Sequence, residues 1–148
     1  MSLNLFIIGP KDSGKTVQAK LIAEKYRLTC IPLGEIFVEE MNAKSGFGIE
    51  IKKYLDAEAS LPDDLIFDIM LSRLKPINFT NFIVSGYPKT LSQARVLEFY
   101  FRKNNFPFSA VISLGADDLV KEFLVKKDKF IEFSTFDKVC LKINKLNA

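Results

Sequence analysis

Short apolar runs alternate along the chain with longer segments whose apolar residues recur every three or four positions. Five runs have strand length: Leu3–Ile8, Leu28–Ile31, Asn81–Ser85, Ala110–Leu114 and Phe130–Phe133. Phe82-Ile83-Val84 and Val111-Ile112 lack polar alternation, as expected of strands covered on both faces. The intervening periodicity is helical. Val17, Leu21, Ile22 and Tyr26 predict one buried face, Leu91, Ala94, Leu97 and Phe101 a second, and Phe136, Val139, Cys140, Ile143 and Leu146 a third. Strand followed by helix, repeated, predicts an α/β domain: a five-stranded parallel sheet with helices on both faces. Between Gly34 and Leu74 the alternation breaks, and about three helices follow one another. Pro62 with Asp63 and Asp64 marks one of their starts, since Pro suits a first turn and acids suit the helix dipole. Residues 34–74 read as a helical subdomain within a single domain, 1–148, and such insertions often carry substrate.

Composition adds exclusions. The chain has 148 residues, 48% hydrophobic and 26% charged, with a net charge of +3. That describes a globular domain large enough for a core, and not a dedicated nucleic-acid binder, whose basic residues would form a patch or stripe. Two cysteines, Cys30 and Cys140, and no histidine exclude a Cys/His zinc site and histidine-based catalysis. Both cysteines are expected to be buried and reduced, with a structural disulfide as the alternative. Leu3–Ile8 is too short for a signal sequence or a span, and no apolar run approaches ~20 residues, so a soluble cytoplasmic protein is expected, with no membrane contact. Of the cations, seventeen are Lys and only four are Arg: Arg27, Arg73, Arg95 and Arg102.

The chemistry starts at the end of the first predicted strand. Gly9-Pro10-Lys11-Asp12-Ser13-Gly14-Lys15-Thr16 fits G-x-x-x-x-G-K-[ST], the Walker A pattern, between a strand and an amphipathic helix. Gly9 and Gly14 let the backbone turn so that N–H groups from Lys11 to Val17 point at phosphate oxygens. The helix beginning near Lys15 adds its positive end. Lys15 supplies a mobile cation for the β- and γ-phosphates of ATP, and the Thr16 hydroxyl can ligate magnesium. Asp12 is out of character here, because a carboxylate in the loop repels phosphate unless it points to solvent. A chance glycine loop is the alternative, but it rarely falls at this place in an α/β chain.

From here the order of motifs resembles the adenylate kinase family of nucleoside monophosphate kinases, from Asn4 to about Lys127 and again in the last strand and helix. Gly-x-x-x-x-Gly-Lys followed by Gln18-Ala19 is similar to the family's first motif. Leu33-Gly34-Glu35 stands where the family has Thr-Gly-Asp. Lys44-Ser45-Gly46, Gly48, Tyr54-Leu55-Asp56-Ala57 and Leu61-Pro62-Asp63-Asp64-Leu65 follow its monophosphate-binding helices. Ser85-Gly86-Tyr87-Pro88-Lys89-Thr90, with Gln93 three residues on, is similar to Asp-Gly-Phe/Tyr-Pro-Arg-Thr. The resemblance implies a P-loop kinase fold that transfers phosphate from ATP to a nucleoside monophosphate, with AMP the expected acceptor, and uses Mg2+. It implies that Leu33, Gly34, Val38, Leu61, Gly86, Lys89 and Gln93 line the monophosphate site. Gly34 would let the base approach the backbone, Gln93 would read the adenine edge with its paired donor and acceptor, and Lys89 would neutralise the α-phosphate.

The departures remove charge or fork geometry, apart from Thr16, which stands where the family usually has Gly. Where the family places arginines, this chain has Val38, Lys89, Phe123 and Lys127. An arginine fork grips phosphate bidentately in a way lysine cannot copy, although Phe123 can still stack on the ATP adenine. Ser85 replaces the Asp that holds magnesium's water shell, leaving Thr16 and Ser85 as the metal-side residues. After Lys126-Lys127-Asp128-Lys129 the chain runs into its last strand, so the family's lid is expected to be absent and the γ-phosphate to stay wet.

Two readings follow. One is a minimal ATP:AMP phosphotransferase of low turnover, with Lys15, Lys89 and Lys127 carrying the charge. The other is a catalytically impaired nucleotide-binding module of the same fold that acts through a partner. A protein partner or a second copy of the chain is a candidate to cover the open site.

Overall fold

A computed structural model describes residues 2–115, 130–132 and 135–146. Five strands, β1 (Asn4–Ile8), β2 (Thr29–Pro32), β3 (Phe82–Ser85), β4 (Ala110–Ser113) and β5 (Phe130–Glu132), form one sheet in the order β2-β3-β1-β4-β5. Every pairing is parallel. The expected sheet is therefore present, and the last strand joins it beside β4. Only residues 114–129 separate β4 from β5. Phe123, Lys127 and the expected loop at Asp128 lie in that stretch, outside the described residues.

Alternation along β1 explains its unbroken apolar run. Phe6 and Ile8 enter one core and Leu5 and Ile7 the other. The first core also takes side chains from α2 (Leu33–Asn42), α3 (Gly46–Asp56), α4 (Asp63–Leu74) and α5 (Leu91–Lys103). The second is covered by α1 (Lys15–Tyr26) and α6 (Phe136–Leu146). Helices thus lie on both faces, and the three successive helices expected from residues 34–74 are α2, α3 and α4. Val139, Cys140 and Ile143 of α6 are buried as their spacing predicts.

One helical face differs from expectation. Val17 and Leu21 are 62% and 43% exposed, whereas Ala19, Ile22 and Ala23 are buried. The reason is distance: α1 lies close over β1, β2 and β3, and the two alanines permit that approach where larger residues would not. Both cysteines are free; Cys140 is buried, and Cys30 is half-buried with its thiol pushed up mainly by burial.

The helical insertion is tied together by polar contacts. The Ser45 hydroxyl accepts from Gly48 N at 3.0 Å, capping α3, and donates to the Glu40 carboxylate. Arg73 of α4 reaches Glu40 at 3.1 Å and Glu39 at 3.3 Å. The Ser45 hydrogen bond, then Arg73, holds the Glu40 carboxyl below its ordinary value. Here α3 crosses α2 so tightly that a Cβ on Gly48 would overlap the Glu40 carbonyl. Backbone cannot rotate away as a side chain can, so Gly48→Ala should lower stability by at least about 1–3 kcal/mol. Chemical denaturation checks this; an unchanged midpoint would show that the α2–α3 crossing is looser than described.

Candidate phosphate and nucleotide cleft

The carboxyl ends of β1 and β3 lie side by side, with Ile7 opposite Ser85, and ligands of open α/β sheets bind outside such ends. The loop after β1 turns through Asp12 (φ 63°) and Gly14 (φ 82°), both left-handed. A Cβ on Gly9 would stand 2.8 Å from Ser13 Oγ and 3.1 Å from Leu114 Cβ, so a side chain there would force its neighbours to shift. Gly14 caps α1 with no side-chain hydrogen bond, so the first-turn amides of α1 keep their donors for a ligand. The Ser13 hydroxyl is buried without a protein partner, as is the Gln18 side-chain carbonyl. Lys11 and Asp12 are exposed, as expected for a carboxylate that must not face phosphate.

Lys15 folds back over this loop, donating from Nζ to the Pro10 carbonyl at 3.2 Å. Its pKa is lowered, first by burial and then by the like charge of Lys89, with Asp12 opposing. The two lysines meet at Gly86: a Cβ there would sit 3.8 Å from Lys15 Cε and 4.0 Å from Lys89 Cε. Gly86 itself has φ 91°, a conformation that suits glycine. Beside this pair, Thr16 Oγ1 and the buried Ser85 Oγ are hydrogen-bonded at 3.0 Å. Two cations and two hydroxyls thus line the ends of β1 and β3, an arrangement whose chemistry suits an anion.

No group of three or more His, Cys, Asp or Glu able to hold a metal occurs among the described residues. The Thr16 and Ser85 hydroxyls are oxygen donors of the kind that could hold a magnesium.

The loop after β3 leads into the second half of the cleft. Tyr87 and Pro88 are buried, and the Tyr87 hydroxyl donates to the Gln93 main-chain carbonyl at 3.2 Å. Burial, then Asp63, pushes that hydroxyl's pKa well above its ordinary value. Thr90 caps α5 by accepting from Gln93 N at 3.1 Å. The Gln93 side chain is buried and held at both ends: Oε1 accepts from Lys89 N at 2.7 Å, and Nε2 donates to Asp63 Oδ1 at 2.8 Å.

The remaining expected residues lie in the insertion. Leu33 is buried in the first core, leaving only its main chain for a ligand. Gly34 is exposed, and a Cβ on it would meet no protein atom within 4 Å. Val38 is half exposed on α2, and Leu61 packs against the core just before α4. Glu35 pairs with Lys20 of α1 at 2.8 Å. Two of the four arginines are engaged in ion pairs. Arg73 pairs with Glu39 and Glu40, Arg102 lies 3.7 Å from Glu98, Arg27 ends α1 and Arg95 is exposed on α5. Phe123 and Lys127 fall outside the described residues. Sequence reasoning took Asp63 only as a helix-start acid and missed its bond to Gln93; its place in the Leu61–Leu65 motif was the one available signal.

Comparison with known proteins agrees with this geometry. The family model described as adenylate kinase matches residues 7–143. An adenylate kinase of Pyrococcus abyssi is 36% identical over 112 residues, covering 76% of this chain and 50% of its own length. One of Clostridium tetani is 32% identical over 126 residues, covering 84% and 57%. One of Thermococcus onnurineus is 31% identical over 140 residues, covering 95% and 58%. The chain spans about half the length of these curated relatives. With a family model matched over nearly all of its residues, the chain belongs to the adenylate kinase family.

Proposed function

We propose that the chain is an ATP:AMP phosphotransferase of low turnover. The observation that carries the reading is the meeting of Lys15 and Lys89 at Gly86, beside the Thr16–Ser85 hydroxyls. Lys15 and the amides of the 9–16 loop hold the β- and γ-phosphates of ATP. Lys89 holds the α-phosphate of AMP, whose oxygen attacks the γ-phosphorus as the bond to the ADP leaving group breaks, giving two ADP. Magnesium arriving with the triphosphate would supply charge neutralisation, and Thr16 would hold it. Gln93 and the open space at Gly34 serve the adenine, and Phe123 and Lys127 are assigned to the ATP side by resemblance alone. No helix of the described residues is long and apolar enough to cross a membrane.

A second reading, a nucleotide-binding module that acts through a partner, is favoured by one observation: Arg73 and Arg102 are taken up by ion pairs with Glu39, Glu40 and Glu98. Arginine forks are what stabilise a transferring phosphoryl group best.

Gly34 gives a test with opposite signs. Gly34→Ala should hold or slightly raise stability, because alanine favours helix by roughly 0.5–1 kcal/mol and meets no clash. It should nevertheless weaken AMP binding about tenfold, since the methyl fills space reserved for the base. Calorimetric titration with AMP, alongside thermal unfolding, checks both. Unchanged AMP affinity would remove the base from this place.

A further inference from the structure

The Gln93 amide is held by two partners of opposite character that come from separate segments. Lys89 N–H precedes α5 and demands an acceptor; the Asp63 carboxylate, on the first turn of α4, demands a donor. A free glutamine amide can turn over and exchange its oxygen and nitrogen, presenting either pattern to a ligand. Here a turned amide would set its NH2 against Lys89 N–H and its oxygen against a carboxylate. Both contacts would be repulsive, and two attractive ones would be lost.

We infer that Asp63 is a positioning residue that locks the Gln93 amide in one orientation and so makes the cleft select a 6-amino over a 6-oxo purine monophosphate. This rests on the proposal that Gln93 faces the base of the monophosphate. The amide carries two donor and two acceptor capacities, and the two protein contacts use one of each. What remains is one lone pair on Oε1 and one N–H on Nε2, each in a fixed place. A base with an amino group beside a ring nitrogen acceptor complements that pair. A 6-oxo purine presents the reverse, an oxygen beside a ring N–H, and meets oxygen with oxygen and N–H with N–H. Asp63 itself does not have to touch the ligand: its effect passes through the side chain it holds.

AMP and IMP are purines of nearly equal size that differ in this pattern, and they serve as the probes. Asp63→Asn keeps the volume of the side chain but supplies an amide that can donate as well as accept, so it no longer opposes a turned Gln93 amide and leaves Lys89 N–H as the one contact of the pair that does. Dissociation constants for AMP and IMP are measured by calorimetry on the full chain, for wild type, Asp63→Asn and Gln93→Ala, with thermal unfolding to control for the fold. Wild type should prefer AMP by at least about tenfold, the order expected of one bidentate base contact. In Asp63→Asn that ratio should fall about tenfold, the scale of a charge-assisted hydrogen bond, with IMP binding becoming tighter than in wild type. A merely structural role would weaken both ligands and tighten neither. If Gln93→Ala collapses the ratio while Asp63→Asn leaves it intact, the lock is refuted and the base-reading role of Gln93 survives. If the ratio is indifferent to Gln93→Ala, or wild type binds neither ligand, the lock and the reading beneath it both fall.

Discussion

Lys15→Ala should weaken MgATP binding by about 1.5–3 kcal/mol, the value of hydrogen bonds to a charged group, which is roughly ten- to a hundredfold. Its effect on phosphoryl transfer should be larger, about 10²–10³-fold, because charge develops where the ammonium sits. The physical ground is the position of Lys15: folded over the loop, partly buried, and facing another cation with only Asp12 in opposition. A lysine whose charge is disfavoured in the free protein gains most when an anion arrives. Calorimetry on both proteins reads the binding effect, and equal affinities would dismantle the site.

The second large effect concerns the positions where charge or fork geometry is missing. Val38 is apolar and half exposed, Ser85 offers a hydroxyl already engaged with Thr16, and Lys89 is a point charge. Each replaces a residue that, by resemblance, grips the monophosphate or orders magnesium's water. One missing electrostatic group costs about 10²–10³ in rate, and losses within one site rarely add. Turnover with AMP should therefore fall far below the ~1–10³ s⁻¹ usual for enzymes. Val38→Arg, Ser85→Asp and Lys89→Arg together should raise it about 10²-fold or more while leaving MgATP affinity nearly unchanged. Fast wild-type turnover would show that lysines suffice. If both proteins bind ATP and neither makes ADP, the binding-module reading prevails.

Much of the architecture was legible because its signals are local. β1, β3 and β4 read as strands from unbroken apolar runs, since both of their faces are covered. The strand–loop–helix around Gly14 and Lys15 could be placed from eight consecutive residues. The inward face of α1 was misread for a physical reason. Its buried positions include small alanines, Ala19 and Ala23, chosen for close approach, while larger apolar residues, Val17 and Leu21, face outward. Hydrophobicity alone ranks these the wrong way round. The contacts that hold the site were not legible, because they join distant segments: Asp63 to Gln93, Glu35 to Lys20, and Arg73 to Glu39 and Glu40. The last of these explains the shortage of arginine at the cleft in part, since one of only four ties helices together instead.

The most direct measurement is a coupled assay of ADP formed from MgATP and AMP, with each nucleotide omitted in turn and Lys15→Ala as the blank. If the approach of Lys15 and Lys89 to Gly86 joins a triphosphate site to a monophosphate site, ADP forms slowly, requires both nucleotides, saturates in each, and is not formed by Lys15→Ala. ADP formed from MgATP alone at the same rate, or formation undiminished in Lys15→Ala, would contradict it.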